Sequence, residues 1–150
     1  MTREEFIEEL RKKKHSYKIE GNKIIFIYNG SFDFPNLTNI PPGVEFKNGG
    51  DVWLNSLTSL PPDVDFRNGG SVFLTSLTSL STSTEFSNRG SVFLTSLTSI
   101  SPEVEFSNGG SIYLISLIRN EPFFEWKGNI EGIESNRLLN AMIKQGLFER

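Results

Sequence analysis

The sequence predicts a mainly β protein: a single-domain β-solenoid of about five 20-residue coils, with an N-terminal helix plus hairpin and a C-terminal capping helix. Three observations predict it. The stretch Val44-Glu45-Phe46-Lys47-Asn48-Gly49-Gly50-Asp51-Val52-Trp53-Leu54 returns in closely related residues from Val64, Thr84 and Val104, twenty residues on each time, with no insertion. Within each copy, apolar residues alternate with polar ones. Val44 and Phe46 stand against Glu45 and Lys47; Val52 and Leu54 stand against Asp51, Trp53 and Asn55. That is the period of half-buried strands. Finally, Asn48-Gly49-Gly50 and its copies separate the strands, and Pro41-Pro42 and Pro61-Pro62 turn the chain between coils.

Taken in order, residues 2 to about 14 read as a helix. Thr2 and Glu5 form a capping-box pattern, Phe6, Ile7 and Leu10 share one face, and Arg11 to Lys14 load the negative end with cations. Tyr17–Glu20 and Lys23–Tyr28 read as two strands joined by Gly21-Asn22, a loop that suits a type II′ hairpin. The second strand enters the repeat register: Ile24 and Phe26 stand twenty before Val44 and Phe46. The solenoid therefore spans residues 24–126, behind a cap of residues 1–23. Phe124 and Trp126 open a sixth coil that is left unfinished.

Inward parity assigns six residues per coil to the core: Val44, Phe46, Val52, Leu54, Leu57 and Leu60, with their copies. Roughly thirty such side chains at about 1.5–3 kcal/mol each are ample to offset ordering entropy. The glycines of the turn supply positive φ. Asn48, Asn68, Asn88 and Asn108 stack as a ladder on backbone groups. Beyond Trp126 the pattern turns helical. Ser135 caps a helix from Asn136 to about Gln145, Gly146 ends it, and Leu138, Leu139, Met142 and Ile143 cover the open end of the solenoid.

Composition narrows the function. A net charge of −3 argues against a general nucleic-acid binder, and the absence of cysteine removes disulfides, thiolate nucleophiles and cysteine metal sites. No window is long and apolar enough to span a membrane, and Met1-Thr2-Arg3-Glu4-Glu5 lacks the apolar run of a secretory signal, so a cytoplasmic protein is expected. Phosphate loops, histidine metal spacings and nucleophile elbows are absent. The one histidine, His15, reads as a surface residue at a helix end. No enzyme, no cofactor and no metal site is expected.

Leu57-x-x-Leu60-Pro61-Pro62-x-Val64-x-Phe66-x-Asn68 resembles the short bacterial leucine-rich repeat. The inserted Gly69-Gly70 and the second Val-x-Leu strand depart from it. The Val-x-Phe-x-Asn-Gly-Gly-x-Val-x-Leu pattern is closer to repeat arrays found in uncharacterised phage and bacterial proteins. That similarity covers roughly residues 24 to 126. It implies a solenoid that binds other molecules and brings no catalytic residues. A phage origin implies interference with a bacterial defence system.

Outward positions become stripes in a solenoid. Trp53, Phe73, Phe93 and Tyr113 form one, flanked by Asp51, Ser71, Ser91 and Ser111 and by Asn55, Thr75, Thr95 and Ile115. Such a patch marks a partner or homodimer surface, unless the terminal elements fold over it or ring stacking alone accounts for it. Glu45, Asp65, Glu85, Glu105 and Glu125 form a second stripe. Lys47, Arg67 and Lys127 offset its ends, leaving Glu85 and Glu105 as the more negative middle, fit for a basic protein surface or for divalent cations; the alternative is a solvated charged face. Rows of hydroxyls around Thr58-Ser59 are split by inward leucines and do not make a flat ice-binding array. The expectation is non-enzymatic binding of a protein partner or a second copy through these stripes. The alternative is sequestration of a small anionic or nucleotide ligand, with Arg67, Arg89 and Arg119 as anion contacts.

Overall fold

The chain begins with α1, Arg3–Lys12, and the reason lies in Thr2 and Glu5. Thr2 Oγ1 accepts the Glu5 N–H at 3.1 Å while Glu5 Oε2 accepts the Thr2 N–H at 3.0 Å, the reciprocal pair of a capping box. The structure is a computed structural model that describes residues 1–80, 83–114 and 140, and the backbone of residues 129–130. The helix ends earlier than its cationic tail suggests: Lys13 caps it and Lys14 turns left-handed at φ 56°. Phe6 and Leu10 are fully buried and close the N-terminal mouth of the solenoid.

Strands β1, Tyr17–Glu20, and β2, Lys23–Phe26, form the antiparallel hairpin. Gly21 has φ +59° while Asn22 stays out of the left-handed region, as a type II′ turn requires. From β2 through the stacked coils the pairing is parallel, one coil on the next; the final strand, Asn129–Ile130, adds antiparallel. Sheet one runs β1-β2-β4-β6-β9-β12, where β4 is Val44–Phe46, β6 Asp65–Phe66, β9 Glu85–Phe86 and β12 Glu105–Phe106. Sheet two runs β3-β5-β7-β10-β13-β14, where β3 is Phe32–Asp33, β5 Val52–Trp53, β7 Val72–Phe73, β10 Val92–Phe93, β13 Ile112–Tyr113 and β14 Asn129–Ile130. Each parallel partner lies twenty residues away: Phe26 faces Phe46, Phe46 faces Phe66, and Val52 faces Val72. The twenty-residue period is thus one circuit of the backbone.

A third sheet joins β8, Ser79–Leu80, to β11, Ser99–Ile100, and is confined to the later coils. Proline explains why the Ile40 and Leu60 corners are not joined in this way. In the bonded coils Ser101 donates its N–H to Leu80 O at 2.7 Å. Twenty and sixty residues earlier stand Ser81 and Pro41, and forty earlier stands Pro61; the prolines have no N–H to donate. Gly43 at φ +78° and Asp63 at φ 59° turn the corner after each proline pair instead.

The inward parity holds, although Ile25 and Glu45, at outward positions of β2 and β4, are buried as well. Val44, Phe46, Val52, Leu54 and Leu57 are fully buried, and their copies among the described residues are buried too. The inner phenylalanines stack: Phe46 on Phe66 at 5.2 Å, Phe66 on Phe86 at 5.1 Å and Phe86 on Phe106 at 4.9 Å, all within 8° of parallel. Asn48, Asn68, Asn88 and Asn108 are buried as a ladder. Each Nδ2 donates backward to the preceding coil, as Asn68 does to Gly50 O at 3.0 Å, and forward within its own turn, as Asn68 does to Ser71 O at 3.2 Å.

Two expectations change. The turn glycines are not left-handed; among the described glycines positive φ occurs at Gly21 and Gly43. His15 is half-buried, stacked on Tyr28 at 4.1 Å and 14°, because the turn after α1 folds it onto the first coil. At the edge of β12 the side chain of Asn140 pairs with Phe106. Phe124, Trp126 and most of the expected helix from Asn136 to Gln145 lie outside the described residues.

Candidate functional site

The outer face of sheet two carries the aromatic row. Registers place Asp33, Trp53, Phe73, Phe93 and Tyr113 side by side, with Asn129 of β14 next in line. Trp53 stacks on Phe73 at 3.7 Å, Phe73 on Phe93 at 4.5 Å and Phe93 on Tyr113 at 4.5 Å, within 6° of parallel. Every ring is half-buried. The stacking decides what is offered: inner faces are covered by neighbours, so the rings present their edges outward. A stacked ridge of edges meets apolar groups and acceptor atoms, since ring edges carry the positive side of the quadrupole.

The rows beside the ridge are structural. Ser31 Oγ accepts the Asp51 N–H at 3.0 Å, Asp51 Oδ1 the Ser71 N–H at 2.8 Å, Ser71 Oγ the Ser91 N–H at 3.0 Å and Ser91 Oγ the Ser111 N–H at 3.1 Å. Each side chain ties its coil to the next. On the other flank Thr75 Oγ1 donates to Asn55 Oδ1 at 2.9 Å. These ties hold the ridge rigid.

The acidic row lies on sheet one, with Glu45, Asp65, Glu85 and Glu105 in register. It is cross-braced rather than bare. Glu45 is nearly enclosed, its side chain 10% exposed, with Lys47 at 3.4 Å, Lys23 at 3.9 Å and Arg67 Nε at 3.3 Å. Arg67 Nη2 reaches Glu85 at 3.3 Å, so one guanidinium links the coils on either side of its own. Ser87 Oγ donates to Glu85 Oε1 at 2.7 Å, and Asp65 Oδ1 accepts the Glu85 N–H at 3.2 Å. Glu105 is exposed and makes no ion pair among the described residues. Glu125 lies outside the described residues.

Of the proposed anion contacts, Arg67 is engaged with two carboxylates, Arg89 is exposed at the turn, and Arg119 lies outside the described residues. Two hollows flank α1. One, of about 280 Å³, is lined by Glu9, Lys13, Phe34 and Leu37; the other, of about 450 Å³, by Thr2, Arg3, Asn22, Pro42 and Asp63. Neither includes Arg67 or Arg89. Among the described residues no acidic, histidine or cysteine group of three is placed to hold a metal ion. No helix among them is long and apolar enough to cross a membrane.

Two residues escaped sequence reasoning. Lys13 Nζ donates to Asp33 O at 2.7 Å and sits 4.1 Å over the Phe34 ring. Burial, and then the charge of Lys13, pushes the His15 imidazole below its ordinary pKa of 6.5. Neither contact leaves a periodic trace, because each joins the helix end to a coil through a turn. No protein-family model, no curated protein and no solved structure matches this chain.

Proposed function

We propose that this chain is a non-enzymatic binding protein that engages a macromolecular partner through its outer faces, with Trp53, Phe73, Phe93 and Tyr113 as the principal contact. The observation that carries this is the ridge itself: four parallel rings, half-buried, held at fixed spacing by side-chain ties on both flanks. Preorganised aromatic groups lose little freedom on binding, which is why such side chains dominate interface energetics. Glu85 and Glu105 on the neighbouring sheet add the second contact, to a basic surface. The resemblance of the repeat to phage and bacterial arrays directs the search for that partner to bacterial defence proteins. Affinity capture with the wild type and with the triple variant Trp53→Ala/Phe73→Ala/Phe93→Ala tests it. Partners retained by the wild type alone support the ridge; an unchanged set of partners rejects it.

The second reading is sequestration of a small anionic or nucleotide ligand. The hollow of about 450 Å³ beside Thr2 and Arg3 favours it. A ligand at a hundred times its dissociation constant adds about 2.7 kcal/mol of stability. Thermal shift against a nucleotide panel measures this, and no shift from any member removes the reading.

A further inference from the structure

We propose that the N-terminal hairpin is a homodimerisation edge, in which β1 pairs antiparallel with β1 of a second copy of this chain about a two-fold axis at Ile19. This stands apart from the aromatic ridge and does not depend on it. The hydrogen-bond phase of the hairpin identifies the free backbone groups. Ile27 donates its N–H to Ser16 O at 3.0 Å. Bonded and non-bonded pairs alternate along an antiparallel ladder. Lys18 with Ile25 and Glu20 with Lys23 are therefore bonded pairs, whereas Tyr17 with Phe26 and Ile19 with Ile24 are not. The far side of β2 agrees: Ile24 donates to Gly43 O at 3.0 Å and Phe26 O accepts the Lys47 N–H at 2.8 Å, both away from β1. The N–H and C=O of Tyr17 and Ile19 thus point outward from the sheet.

One other edge of each of these sheets is capped. Lys13 caps Asp33 O at the start of sheet two, and Asn140 caps Phe106 at the end of sheet one. Among the described residues nothing pairs with the outer edge of β1, and Ile19 there is 49% exposed.

Charge selects both the partner and the register. Pairing centred on Ile19 sets Lys18 opposite Glu20 of the second copy, and Glu20 opposite its Lys18, so four charges alternate on one face. The two Ile19 side chains meet on the other face. Lys18 and Glu20 already pair at 2.9 Å within the strand. The neighbouring in-phase registers set Lys18 against Lys18 or Glu20 against Glu20, and like charges directly opposite are destabilising.

Light scattering over a concentration series tests this. The expected mass rises from the 16.9 kDa of one chain to twice that. Lys18→Glu puts like charges opposite and returns the protein to one chain, and adding Glu20→Lys restores two. Ile19→Pro removes an N–H that the hairpin itself does not use, so it abolishes the dimer while the circular dichroism of the fold is kept. In the wild type the Ile19 amide exchanges more slowly as concentration rises. A mass of one chain at every concentration overturns the proposal. So does a dimer that survives Lys18→Glu or Ile19→Pro, or a charge-swapped double variant that stays monomeric.

Discussion

Gly70 shows what one residue contributes to a stacked coil. A Cβ built there lies 2.9 Å from the backbone carbon of Gly50, closer than real Cβ atoms approach. Every coil keeps glycine at this place, as Gly30, Gly50, Gly70, Gly90 and Gly110. The requirement is close approach between coils, not backbone handedness. The position before it differs. A Cβ at Gly69 meets Gly49 O at 2.5 Å, yet Arg89 carries a side chain at the equivalent place, so the backbone there yields. Gly70→Ala is expected to destabilise by about 1–3 kcal/mol and Gly69→Ala by less, read from urea midpoints. His15 gives a second residue-scale expectation. Its folded pKa lies below the unfolded value of 6.5, so below that pH the unfolded chain binds more protons and stability falls as pH falls. The fall ends once pH drops through the folded pKa. Lys13 is the charged group facing the ring. Thermal midpoints of wild type and His15→Phe should diverge between about pH 7.5 and 5.5, the variant lacking the acid-side loss.

At the scale of elements, the strands are short and their ends decide their fate. The parallel ladder leaves Phe106 N–H and C=O facing the place of a further coil; in the preceding coil Phe86 O accepts the Ser107 N–H at 2.7 Å. Asn140 supplies both partners with one amide: Oδ1 accepts the Phe106 N–H at 2.9 Å and Nδ2 donates to Phe106 O at 2.8 Å. A side chain thereby stands in for a strand. Unpaired edges recruit other chains, so Asn140 guards the end of the solenoid. Asn140→Leu is expected to cost about 1–3 kcal/mol and to speed exchange of the Phe106 amide while inner-coil amides such as Phe66 stay protected. Equal acceleration along the sheet would show that the cap does not act locally. The cross-brace of Arg67 belongs to this scale too. It converts a column of repelling carboxylates into a linked one, at the modest worth of exposed ion pairs.

For the whole molecule, stability is built by repetition. Each coil buries its apolar side on its neighbours, so the total is close to a sum of coils and interfaces. Deleting residues 64–83 removes one circuit and rejoins equivalent positions. The shortened chain should fold, with β-type circular dichroism and a lower thermal midpoint. Deleting residues 64–73 removes half a circuit, throws Asn, Gly and Phe columns out of register, and should leave the chain unfolded. Equal behaviour of the two deletions would contradict the stacking of the coils.

Much of this was legible in the residues alone. The coil, its period, the inward set from Val44 to Leu60, the asparagine ladder, the capping box and the hairpin all follow from local or periodic pattern. Repetition makes each signal several times over, and burial forces one parity. The aromatic row was legible for the same reason. What the tertiary structure alone decided are the contacts made once: Lys13 on Asp33, His15 on Tyr28, Arg67 between Glu45 and Glu85, Asn140 on Phe106. Each joins residues whose meeting depends on how the chain closes in space, and a single meeting leaves no period in a sequence.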